Sequence, residues 1–135
     1  MESDKLYRVV FYVGSGWNFV TAAGMFFLID SLPAMLKIEM PRYPVFIYFN
    51  LMSIFFFGVF QFSVARHLRD SHSMVVILVW AKITMGCVFA YAAVAAPMPA
   101  ELFSFLLPGM IIDVVFGLVY YRVLRYLRIP KLAAA

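Results

Sequence analysis

Four long apolar runs dominate this chain: Leu6–Ile29, Val45–Ala65, Met74–Ala96 and Leu102–Tyr126. Each is close to the ~20 residues that an α-helix needs to cross a hydrocarbon layer ~30 Å thick. The breaks between them are short, and short links make consecutive helices antiparallel neighbours. The pattern therefore predicts an all-α fold, a transmembrane up-down-up-down four-helix bundle. The longest break, Asp30–Pro44, mixes apolar residues with Lys37 and Glu39 between Pro33 and Pro41, which reads as a short interfacial helix in the outer loop. In Arg66–His72 and just beyond, Ser71 or Ser73 is placed to cap the helix that follows. Pro97-Met98-Pro99 stops the third run and leaves Glu101 in the first turn of the fourth, where acid is favoured.

Two charges interrupt the pattern, Lys82 in the third run and Asp113 in the fourth. A charge at bilayer depth costs roughly 2.5–3.5 kcal/mol on insertion scales and calls for a partner, a cavity or a function. Helical rise puts Lys82 ~14 Å in from Ser73, and Asp113 ~16 Å in from Leu102 at the opposite face. Both fall at the midplane, and Asn18 reaches it from the first run. The faces agree with this. The fourth run carries Gly109, Asp113 and Gly117 at spacings of four, a small-residue stripe that admits a neighbouring helix. The first carries Gly14, Asn18, Thr21 and Met25 along one side, and the third carries Lys82, Met85, Gly86 and Phe89. The second adds a polar track of Asn50, Ser53 and Gln61. The predicted polar centre is Asn18, Thr21, Asn50, Gln61, Lys82 and Asp113. As a structural feature it is a Lys82–Asp113 ion pair with a hydrogen bond from Asn18; as a functional one it is a ligand seat or ion pathway.

Composition narrows the classes. Of 135 residues, 65% are hydrophobic and 13% charged, against about half and a quarter in soluble domains. One four-helix domain over 1–130 is expected, with the first run a retained helix longer than a signal-peptide core. Lys131–Ala135 reads as the remnant of an expression tag. The net charge of +4 reflects membrane flanks and not a nucleic-acid face. Lys5, Arg8, Arg66, Arg69, Arg122, Arg125 and Arg128 fall at one end, against Lys37 and Arg42 at the other, which places both termini inside. The lone Cys87 excludes an internal disulfide, and no Cys/His spacing suits a metal or cofactor. His67 and His72 read as loop polarity, Trp17 and Trp80 as packing.

Leu6-Tyr7-Arg8 ahead of the first span, Trp17-Asn18 within it, Lys82 in the third and Asp113 in the fourth resemble small bacterial four-span proteins, DoxX-like in layout. Ala81 and Ile112 stand where that layout leads one to expect glycine. The resemblance implies a bacterial inner-membrane protein with Asn18, Lys82 and Asp113 as its signature, and no established activity. The residues themselves fit an oligomeric transporter or channel for a small solute or ion, proton-linked through Asp113. The alternative is a lipid- or quinone-binding accessory subunit in which Lys82–Asp113 is structural. Catalysis is the weakest reading, since one carboxylate and one amine at depth form no nucleophile–base motif. The expected partners are the lipid bilayer, a small polar or amphiphilic ligand and further copies of the chain.

Overall fold

The computed structural model describes residues 2–39, 42–95 and 98–128. The expected tag remnant and the loop residues Met40, Pro41 and Pro97 lie outside these. The elements are α1 (Glu2–Leu28), α2 (Leu32–Leu36), α3 (Val45–Arg66), a 3₁₀ turn (Leu68–Asp70), α4 (His72–Ala95) and α5 (Ala100–Leu127). There is no strand among the described residues. α1, α3, α4 and α5 are long and apolar enough to cross a membrane. They match the four predicted runs.

Local chemistry sets the boundaries. Pro33 opens α2, and Lys37 ends it in the left-handed region at φ 53°. Leu32 and Leu36 are buried while Met35 is exposed, so the short helix lies with one face on the bundle. Before α4, the Ser71 carbonyl accepts from the Val75 amide at 2.9 Å. The Ser71 hydroxyl, expected to cap, instead donates back to the His67 carbonyl at 2.7 Å. Pro108 lies inside α5 and withholds one backbone donor. Its flank borders a cavity, where such a break is tolerated in membrane helices.

Two ion pairs mark the ends of the bundle. Arg69 bonds Asp4 at 2.7 Å at the basic end, and Lys37 bonds Glu101 at 2.5 Å at the loop end. Between them the four long helices form two tight pairs, α1 with α3 and α4 with α5. Glycines bring each pair together. A Cβ on Gly58 would lie 2.7 Å from the Phe19 ring, and one on Gly86 the same distance from Val114. The Ser15 hydroxyl donates across the first pair to the Gly58 carbonyl at 2.8 Å.

The long helices of the two pairs pack together toward the basic end, where Phe11, Val64, Val75, Leu78, Tyr120 and Val123 form a closed core. Phe11 and Tyr120 stack there with ring centroids 4.5 Å apart. Toward the loop end the pairs separate. Phe27 and Val94 stay more than 80% exposed and face outward, as lipid contact requires.

The basic end carries a clamp. Asp4 accepts from Arg69 and from the Tyr126 hydroxyl at 2.8 Å, and the guanidinium lies 4.5 Å from the Tyr126 ring centre. Partial burial raises the Asp4 carboxyl, but the Arg69 and Tyr126 hydrogen bonds and the Arg69 charge outweigh it, holding it below its ordinary 3.8. The folded value is the lower one, so Asp4 stabilises the fold above 3.8 and ceases to as pH falls through the folded value. Asp4→Asn should cost up to about 1 kcal/mol at neutral pH, measured as thermal stability in micelles. The difference from the unaltered protein should vanish in acid.

Candidate functional site

Where the helix pairs separate they enclose a vestibule of about 470 Å³. Each long helix supplies one wall: α1 through Asn18, Thr21 and Met25, α3 through Asn50, Ile54 and Phe57, α4 through Lys82, Met85 and Phe89, and α5 through Leu106, Gly109 and Asp113. The lining residues run from the level of Lys82 and Asp113 to the loop end, where Asn50 is exposed. Below that level the closed core seals the bundle. The vestibule is thus closed toward the basic end.

Lys82 and Asp113 form an ion pair at its floor. Close packing of α4 on α5 places them, since a Cβ on Gly117 would lie 3.4 Å from the Lys82 Cβ. Their side chains are 8% and 17% exposed, and both border the vestibule. Among the described residues neither has another side-chain hydrogen bond. An ammonium carries three donors and a carboxylate about four acceptor sites. The pair therefore retains donors and acceptors for a molecule in the vestibule.

The expected convergence is found for four residues. Asn18, Thr21, Lys82 and Asp113 share one cavity, with the exposed Asn50 lining it nearer the loop end. Gln61 does not reach it; fully buried beneath the floor, it accepts a 3.0 Å hydrogen bond from the Asn18 amide. That bond corrects the expectation that Asn18 serves the ion pair. One helical turn separates Asn18 from Gly14, and Gln61 fits over Gly14, so Asn18 turns to Gln61. Gly109 corrects another expectation. Nothing lies within 4 Å of its Cβ position, so it widens the vestibule where Gly117 brings helices together. Trp80 is 65% exposed on the outer face of α4 and is not a core residue, while Trp17 borders the vestibule.

Comparison with protein-family models, with curated proteins and with solved structures gives no match. Of the layout expected from the sequence, the structure shows four helices long and apolar enough to span a membrane.

The residues missed in the sequence are Gly14 and Tyr120 as neighbours and the Asp4–Arg69–Tyr126 clamp. The Tyr120 hydroxyl and the Gln61 Oε1 both crowd the point where a Gly14 Cβ would lie. The Tyr120 hydroxyl and Gln61 Nε2 are buried without a partner among the described residues. Tyr120 was findable, because it follows Asp113 by seven and Gly117 by three on one face of α5. The clamp was not, because Asp4, Arg69 and Tyr126 belong to three different segments.

Proposed function

We propose that this protein seats a small, net-neutral amphiphile in its vestibule, in the bacterial cytoplasmic membrane with both termini inside. The observation that carries the reading is that the Lys82–Asp113 pair borders a 470 Å³ cavity. A pair retained for stability alone gains nothing from an adjoining cavity. The pair is neutral overall, so a charged head is attracted by one partner and repelled by the other. A hydroxyl head accepts from Lys82 and donates to Asp113 without breaking them apart, and an ester or carbonyl oxygen beside it can accept a further Lys82 proton. Met25, Ile54, Phe57, Met85 and Leu106 supply the apolar wall that an attached chain needs.

The test uses the natural tryptophans. In the Trp80→Phe variant Trp17 alone reports on the vestibule. A monoacylglycerol with bromine beside its ester, at trace mole fraction in unbrominated phosphatidylcholine vesicles, is expected to quench Trp17 saturably. Gly109→Phe fills the vestibule where a new side chain meets open space. It should weaken this quenching at least about tenfold, or about 1.4 kcal/mol, with helix content unchanged. Quenching that rises without saturation, as random mixing gives, overturns the reading.

The shape favours a related reading as well. A vestibule that reaches down to the ion pair and is sealed toward the basic end is compatible with one half of an alternating-access cycle. A homo-oligomeric carrier would use the same floor, with Asp113 taking a proton or cation as Lys82 releases it. Solute flux into proteoliposomes that is unchanged in Asp113→Asn overturns that version.

A further inference from the structure

A second depression, of about 610 Å³, lies on the outer face of α4 beside α3. Val76, Ile77, Trp80, Thr84 and Val88 line it, and so do Phe57, Ala81 and Met85. The last three also line the vestibule. The partition between the internal cavity and the lipid-facing groove is therefore one side chain thick. We infer that this partition is a lateral doorway, through which the hydrocarbon chain of the bound amphiphile passes from the vestibule into the groove. The inference rests on the amphiphile reading and adds where the chain goes.

Five observations support it. α3 and α4 meet along a sparse seam, unlike the helices within each tight pair. At that seam Ala81 is too small to close the gap, and Phe57 and Met85 flank it. Met85 is 38% exposed and unbranched, so it can change rotamer without breaking a hydrogen bond. Ala81 also precedes Lys82 directly, so a head at the ion pair holds its chain beside the doorway. The groove itself is apolar apart from the Thr84 hydroxyl and the Trp80 indole N–H, and accepts hydrocarbon more readily than a polar head. The occupant is thus the single chain of a membrane-dissolved amphiphile; loose packing of bulk lipid is the competing outcome.

Trp17 borders the vestibule and Trp80 the groove, and the chain has no other tryptophan. Two monoacylglycerols are used at trace mole fraction in unbrominated vesicles holding the full chain, one brominated beside the ester and one at mid-chain. Trp17→Phe isolates Trp80, and Trp80→Phe isolates Trp17. The expected result is saturable quenching of Trp17 by the ester-side bromine and of Trp80 by the mid-chain bromine. Ala81→Phe, added to Trp17→Phe, should return Trp80 to the level of random mixing. If the mid-chain bromine saturably quenches Trp17 while Trp80 stays at that level, the chain remains inside; the doorway is then wrong and the vestibule reading stands. If the ester-side bromine fails to quench Trp17, the vestibule reading fails and the doorway fails with it.

Discussion

Asp113→Leu, which leaves Lys82 without its partner, should lower stability by about 3 kcal/mol, read as unfolding in micelles or bicelles. Lys82→Leu should do the same by stranding the carboxylate. Breaking a buried pair typically costs 3–5 kcal/mol, because the remaining charge keeps its desolvation penalty. The lower end applies here, since both groups border a cavity that can hydrate the survivor. Replacing both residues by leucine should recover most of the loss, because a well-packed apolar pair is often as stable as the ion pair it replaces. The same double variant should lose saturable quenching of Trp17, since its floor offers no donor or acceptor. The exchange Lys82→Asp with Asp113→Lys separates charge from position. Recovery of stability by the exchange shows that the two charges act on each other. A double leucine variant that stays as unstable as either single one would sink the account of a directly coupled pair.

The second large effect is expected at Gly14. Gly14→Ala should destabilise by about 1–3 kcal/mol, as overpacking does in a close-packed core. The new methyl would overlap the Tyr120 hydroxyl and approach the Gln61 Oε1 at 2.9 Å. Tyr120 cannot yield easily, because it is fully buried and stacked on Phe11. Gln61 is held in turn by Asn18. Gly16 and Gly24 serve as controls in the same helix, since nothing lies within 4 Å of their Cβ positions. Alanine at either should stabilise by about 0.5–1 kcal/mol, the usual gain over glycine inside a helix. Equal effects at all three positions would show that the gain or loss is one of helix propensity and not of packing at the seal.

Length and apolarity made the four spans legible in the sequence. The breaks contain proline or charge, and the bilayer sets a minimum run. The common level of Asn18, Lys82 and Asp113 was legible for a similarly simple reason, since helical rise is fixed. What escaped depends on how helices choose neighbours. Gly109 and Gly117 occupy equivalent places in one stripe, yet the first borders open space and the second meets Ile83 at 3.2 Å. Nothing along α5 distinguishes them; the position of α4 does. Asn18 likewise has one amide and several polar groups within reach of its level, and Gln61 wins because α3 packs on α1. Trp80 reads as packing because its segment is apolar nearly throughout, yet it stands two residues from Lys82 and so on the opposite face of the helix, which is the exposed one.

The two tight helix pairs also bear on the order of assembly. α1 and α3 are successive spans, and so are α4 and α5, so each half of the chain forms a hairpin from its own residues. Membrane helices insert first and associate afterwards. The first hairpin can therefore be complete before the second has been made. What remains is the seam between the hairpins, closed by Phe11 and Tyr120 near the basic end, by the Tyr126–Asp4 bond beyond them and by the Lys37–Glu101 pair at the loop end. A chain cut beside the exposed Asp70 would keep both hairpins whole. Its two pieces would have only that seam to rebuild.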